Sequence, residues 1–397
     1  MDRRLLVLAL GMFAIGTDSF VVAGILPMVS RSMHVSVALV GQMVTLYAIS
    51  YALLSPVVAT VFAHWSRKRL LVSGLVVFVV GNVLTAISSS LTLMFASRLV
   101  SGLGAAMFSP TATAAGASLV APELRGRALA VVIAGLTTAT ALGSPIGTVL
   151  GGIWDWRTTM WFVAALGLTS GVGVLILLPD MPSPPPVRLR QRLAPLADRR
   201  VALTLLTTLF TYCGAFISYT YIGVMLDRVT HGDGSTLAGL LVIWGVSATV
   251  GNIVSGKLTD RVGSTRIINT FLILGSINFA LMPITSAFLS TTVVALVIWG
   301  ICGWGLLVPQ QHRLLEIFPQ TGALLMSLNS GAVYLGVSAS GVLGAFGITF
   351  AGKYDLGWMS ASFLVAAFVL AQLAHRLILR GGVSAAGVVL TPGPGHS

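Results

Sequence analysis

The stretch Gly16-Thr17-Asp18-Ser19-Phe20 decides the fold, because it sets a carboxylate inside an otherwise lipid-soluble run. From 5 to 27 the chain is apolar apart from Thr17, Asp18 and Ser19, long enough to cross a hydrocarbon core of about 30 Å. An acid at that depth costs about 2.5–3.5 kcal/mol on insertion scales, so by default it marks a functional site. The expectation is a cavity built around a proton-binding group.

Working outward, apolar runs of spanning length recur along the chain, and they predict twelve helices. Helices 1 to 6 are expected at 5–27, 36–62, 70–89, 91–120, 128–153 and 158–178, and helices 7 to 12 at 201–226, 236–258, 267–288, 291–311, 322–350 and 356–379. The chain is therefore read as an all-α membrane protein with an N-terminal six-helix bundle (1–178) and a C-terminal one (201–380). A basic, proline-rich linker (179–200) joins them, and a disordered tail (381–397) follows. Composition agrees: charged residues make up 9%, against about 25% in soluble domains. The net charge of +12 does not indicate nucleic acid, since the basic residues are spread over short loops between apolar runs. Cys213 and Cys302 fall inside apolar runs and give neither a disulfide framework nor a metal-ligand spacing. The first apolar run is too long for a signal-peptide core and is expected to remain as helix 1.

Orientation follows from the basic residues. With both termini cytoplasmic, 18 of the 23 Lys and Arg fall inside and four (Arg31, Arg157, Arg228, Lys353) outside. The one left over, Arg98, lies within helix 4. Asp18 and Arg98 are the only charges read as deep. At 1.5 Å per residue Asp18 lies ~14 Å below the outer end of helix 1, and Arg98 ~10 Å below the start of helix 4. Two lone opposite charges at one depth are expected to share a water-accessible cavity, where burial favours the protonated acid and the neighbouring cation favours the carboxylate.

The halves read as repeats. Gly143, Gly147 and Gly151 share one face of helix 5, and Gly336, Ser340 and Gly344 do the same in helix 11. Small residues at this spacing let helices approach closely in lipid. Two such halves leave a central site between them near mid-membrane. Its uncharged lining is expected from Gln42, Tyr47, Tyr219, Tyr221, Asn252, Gln310 with Gln311, and Asn329, with Trp244, Trp299 and Trp304 as aromatic walls. An apolar cavity with a few polar groups suits a small, mostly uncharged ligand. An enzyme is disfavoured: no His lies deep in a span, and no nucleophile–base pair is visible.

Several motifs resemble the major facilitator superfamily, in particular its twelve-helix drug/proton antiporters. Gly256-Lys257-Leu258-Thr259-Asp260-Arg261-Val262-Gly263 is similar to the loop signature G-x-L-x-D-R-x-G. The equivalent loop between helices 2 and 3 departs from it, with His64 where the acid would be. Arg98-Leu99-Val100-Ser101-Gly102 resembles the helix 4 element R-x-x-x-G, and Gly143-Ser144-Pro145-Ile146-Gly147 with Gly151 resembles the antiporter signature of helix 5. Helix 1, with Asp18 followed by Pro27, is similar to a branch containing chloramphenicol-resistance, arabinose or sugar, and purine nucleoside exporters. The resemblance implies the major facilitator fold of two pseudo-symmetric bundles in the bacterial inner membrane, acting as a monomer. It implies export of a small, uncharged or cationic organic molecule in exchange for protons, with no cofactor beyond the proton gradient. Sugar or nucleoside export, or an uncoupled facilitator, is the alternative. Asp18 would carry the proton and Arg98 modulate it; the face of helix 5 that includes Pro145 is expected against helix 8; Asp260 and Arg261 would hold one conformation by ion pairs.

Overall fold

A computed structural model describes residues 2–182, 189–318 and 321–386. Among them are twelve helices long and apolar enough to cross a membrane. Helices 1 to 6 are Arg3–Met33, Val37–Val61, Arg67–Ala86, Leu91–Ser118, Arg125–Ile153 and Trp156–Leu177. Helices 7 to 12 are Arg199–Thr220, Gly234–Val262, Ser264–Thr285, Leu289–Ile317, Leu324–Phe350 and Leu356–Arg380. Both ends of helix 1 exceed expectation. Pro27 removes the hydrogen bond to the Ala23 carbonyl, yet the helix continues to Met33. The freed carbonyl faces Gly223, where a Cβ would lie 3.2 Å from that oxygen and 3.0 Å from the Pro27 ring.

Helices 1 to 6 pack chiefly on one another, as do helices 7 to 12, and the two groups meet along helices 2 and 11 and along helices 5 and 8. Each half begins with the same device. Asp2-Arg3-Arg4 opens helix 1 with the Asp2 carboxylate accepting from Arg4 N at 2.9 Å. Asp198-Arg199-Arg200 opens helix 7 with the Asp198 carboxylate accepting from Arg200 N at 2.8 Å. A carboxylate there satisfies an orphan amide and faces the positive end of the helix dipole.

The glycine faces corroborate the repeat and correct its partner. A Cβ on Gly143 would lie 2.0 Å from Thr17 Oγ1, on Gly147 2.4 Å from Val21, and on Gly151 3.0 Å from Ile25. The small face of helix 5 is therefore pressed onto helix 1 of its own half, and not onto helix 8 as expected from the resemblance. Helix 11 copies this on helix 7, with Gly336 against the Leu209 carbonyl and a Cβ on Gly344 falling 3.3 Å from the Ile217 carbonyl. Spacing fixes which residues share a face but carries no information on the neighbour. Helix 8 packs on helix 5 as well, along Ser144–Ile153 and against a widened, π-type turn at Ala139–Gly143. Pro145, two residues on, cannot donate to the Ala141 carbonyl, which favours such a turn. Gly245 of helix 8 sits against it, a Cβ there falling 2.4 Å from the Thr140 carbonyl.

Other boundaries also move. Helix 7 ends at Thr220, so Tyr221 lies in the bend before the short helix Ile222–Met225. Helix 8 runs through the loop signature to Val262, and Gly263 turns the chain at φ +85°, a conformation L side chains rarely adopt. In the linker, Leu189–Leu193 is a short helix, while Pro184 to Pro186 and Arg188 lie outside the described residues. Of the stretch expected as a disordered tail from 381, residues up to Ala386 belong to the helix started at Leu356, and 387–397 lie outside the described residues.

Candidate functional site

Four consecutive residues of helix 1 each address a different part of the molecule, because successive side chains on an α-helix are turned by about 100°. Thr17 faces Gly143 of helix 5. Asp18, fully buried, accepts from Arg98 Nη1 of helix 4 at 2.7 Å and from Asn82 Nδ2 of helix 3 at 3.4 Å. Ser19 donates to the Ile15 carbonyl (2.9 Å) and lies 3.2 Å from the Tyr47 hydroxyl of helix 2. Phe20 enters the C-terminal half, with ring centroids of Phe216, Tyr219, Trp244 and Trp304 between 5.8 and 6.4 Å away.

The ion pair is the charged centre of the N-terminal half. Arg98 is 1% exposed and its guanidinium sits 4.7 Å above the Tyr47 ring, a cation–π contact. Removing one member of such a pair strands the other, at about 3–5 kcal/mol. Asn82 is anchored by its own donation to the Phe78 carbonyl at 3.0 Å. Sequence reasoning missed Asn82. Its only signal was an isolated amide in an apolar span.

The centre of the C-terminal half is an aromatic cluster without a charged member. Tyr219 and Trp244 lie 4.5 Å apart between centroids, and Trp299 closes on both at 6.2 and 5.9 Å. The Tyr219 hydroxyl donates across the seam to the Phe20 carbonyl at 3.2 Å and stands 3.4 Å from Ser144 of helix 5. Next to Trp299 a small apolar pocket of about 10 Å³ is lined by Thr211, Phe271, Phe279, Cys302 and Leu364 among others.

The other expected lining residues are dispersed. Gln42 and Tyr221 belong to a seal between the halves: Gln42 Nε2 donates to the Gly341 carbonyl at 3.2 Å, and the Tyr221 hydroxyl to the same oxygen at 2.7 Å. Tyr221 fits there because Gly41, Gly341 and Gly344 leave room for it; a Cβ on Gly41 would lie 2.1 Å from its hydroxyl. Gln310 is buried with neither end of its amide hydrogen-bonded. Asn329 accepts from Thr208 Oγ1 at 2.9 Å, and Asn252 is partly buried in helix 8. Arg98 is not the only deep cation. Arg313, expected in a loop, is 1% exposed in the extended helix 10 and donates to the Ala371 carbonyl (3.4 Å) and Thr265 Oγ1 (3.3 Å). Asp260 and Arg261 are exposed at the end of helix 8 and take part in no ion pair among the described residues.

The seam is closed on one side. Its hydrogen bonds and ring contacts, including Ser338 Oγ to the Thr45 carbonyl at 3.2 Å, run from the end opposite the chain termini to the level of Tyr51 and Tyr334. One turn nearer the termini, a Cβ on Gly331 would meet nothing within 4 Å.

This architecture agrees with the match of residues 8–341 to the Major Facilitator Superfamily. The chain belongs to that superfamily. As a major facilitator protein it is a multi-pass membrane transporter and not an enzyme. It is 31% identical over 333 residues to the inner membrane transport protein YdhP of Escherichia coli (strain K12), covering 84% of this chain and 85% of that one. It is 27% identical over 370 residues to the MFS-type transporter YbcL of Bacillus subtilis (strain 168), covering 93% and 95%. Among solved structures, a bacterial homolog to the human lysosomal transporter Spinster, in an inward-facing and occupied conformation, superposes with a TM-score of 0.75 at 17% identity, covering 95% of this chain and 97% of that chain. A mutant of the nucleoside transporter NupG gives 0.76 at 12%, covering 94% and 99%. At those identities the likeness is one of fold.

Proposed function

We propose that this transporter exports a small, mostly uncharged or cationic organic molecule across the bacterial inner membrane in exchange for protons, acting as a monomer with no cofactor. The observation that carries this is the Asp18–Arg98 pair at 2.7 Å, buried at mid-span beside the seam. A carboxylate that can exchange its cationic partner for a proton is a device for binding and releasing protons as its surroundings change. The bias of 18 basic residues to four supports cytoplasmic termini, which makes the sealed end external and the open end cytoplasmic. An acid that opened to the cytoplasm in one state and to the outside in the other would carry protons inward as the halves rock. The aromatic, uncharged centre of the C-terminal half suits the organic cargo.

The test is transport by purified protein in liposomes, with ethidium, an amphenicol, a pentose and a nucleoside as probes. Uphill movement of one probe driven by an imposed pH gradient, abolished by Asp18→Asn, is the expected result. Movement of a probe at a rate indifferent to the gradient would replace antiport with facilitated diffusion.

A further inference from the structure

We propose that Phe20 of helix 1 is a placeholder in the cargo site of the C-terminal half, so that entering cargo displaces helix 1 and with it the carboxylate two residues earlier. This rests on Asp18 being the proton site and the aromatic centre being the cargo site. Phe20 belongs by chain to one half and by contact to the other. Its ring is 5% exposed and lies among Phe216 and Tyr219 of helix 7, Trp244 of helix 8 and Trp304 of helix 10. It meets Tyr219 and Trp304 edge to face, the arrangement aromatic pairs prefer.

The internal repeat does not by itself produce this placement. Counted from the caps Asp2 and Asp198, Phe20 and Phe216 stand at the same position, eighteen residues along helices 1 and 7. The two rings meet across the seam at 6.1 Å. Phe216 otherwise stays with its own half, against Tyr212 and Tyr219 at 6.3 and 5.3 Å. Phe20, among the described residues, takes all of its ring contacts from the opposite half. Equivalent residues thus serve one centre, and helix 1 supplies the guest.

Space makes guest and cargo exclusive. The pocket beside Trp299 offers about 10 Å³, room for about one water, whereas a cavity that takes up benzene measures about 150 Å³. An organic ring therefore enters the aromatic centre where the Phe20 ring leaves it. The backbone is held there too, since the Tyr219 hydroxyl donates to the Phe20 carbonyl at 3.2 Å. Residues 18 and 20 lie about 200° apart around the helix axis, so a turn of helix 1 that withdraws Phe20 also shifts Asp18 against Arg98. A cargo that expels a competitor binds with its affinity lowered by the fraction of time the site is free.

The experiment compares Phe20→Leu and Phe20→Ala with Trp244→Ala, all in the full-length protein in liposomes. The probes are ethidium, an amphenicol and a nucleoside, each of which bears a ring. Two readouts are taken on the probe that moves: its half-saturating concentration, and its accumulation under an imposed pH gradient. Phe20→Leu weakens the guest and should lower half-saturation by about two- to tenfold, the worth of one aromatic pair. Accumulation should fall at the same time, because cargo then enters without moving helix 1. Phe20→Ala should change both in the same directions and further; should it fail to assemble, Phe20→Leu alone decides. Trp244→Ala, a wall, should move half-saturation the opposite way. Half-saturation unchanged or raised in Phe20→Leu makes Phe20 a wall or plain packing and overturns the proposal, with the proton site left standing. Lower half-saturation with full accumulation severs the link to Asp18 and overturns it as well. Transport of none of the three probes removes the aromatic centre as cargo site. Accumulation that persists in Asp18→Asn overturns the proton reading instead.

Discussion

The centres of the two halves are built on the same scaffold and filled with opposite chemistry. Helix 5 presses a small-residue face on helix 1, and helix 11 presses one on helix 7. Where the first scaffold buries Asp18, Arg98 and Asn82, the second buries Tyr219, Trp244 and Trp299. On the proposed function a duplicated fold divides its labour, one centre holding the proton and the other the organic cargo, and helix 1 reaches both through Asp18 and Phe20.

The sharpest way to break this contrast is Arg98→Leu. Stranding the buried carboxylate should cost about 3–5 kcal/mol, seen as loss of folded protein in detergent melts, whereas Trp299→Leu in the other centre should leave the protein assembled. Next in size is the scaffold itself. Gly147→Leu drives a side chain into Val21 and Gly336→Leu into the Leu209 carbonyl, and each should cost about 1–3 kcal/mol in the same melts. Gly331→Leu, with open space around it, should be neutral. A neutral Gly147→Leu would refute the close approach of helices 1 and 5. A smaller effect separates the two chemistries: Trp244→Ala should weaken half-saturation for the transported probe by up to about tenfold, the scale of one or two aromatic contacts, without moving the pH dependence. The smallest lies at the helix starts. Asp198→Ala should cost about 1 kcal/mol and Asp2→Ala less, since only Asp198 is shown bridging to its arginine side chain, at 2.8 Å. The Arg200 guanidinium holds the Asp198 carboxyl below the usual carboxylate range. Its contribution is therefore complete at neutral pH and disappears only as pH falls through that lowered value.

Much of this was legible in the sequence. Twelve apolar runs gave the spans, and two unmatched charges at one depth gave the ion pair, because both signals follow from the cost of leaving water. Helix ends were read less well. Helix 1 passes Pro27 because Gly223 accommodates the freed carbonyl, and helix 10 extends to enclose Arg313 because helices 9 and 12 supply oxygens. Both causes lie on distant segments. Likewise, glycine spacing defined the face of helix 5 but not that helix 1 lies against it. Ser19 and Asn82 escaped notice as site residues, since a single polar side chain in a span has no periodicity to mark it. The pairing of Asp2-Arg3-Arg4 with Asp198-Arg199-Arg200 was visible as a string but acquired meaning only when both carboxylates were found capping helices.

The most direct test of the central claim is proton release on substrate binding. Purified protein in weakly buffered detergent, near the pH at which Asp18 is half protonated, is mixed with the probe that it transports while a pH-indicator dye is monitored. The account predicts release of up to about one proton per molecule in the wild type and none from Asp18→Asn, which should still bind. Binding by the wild type with no change in proton occupancy at any pH, or equal release from Asp18→Asn, would contradict it.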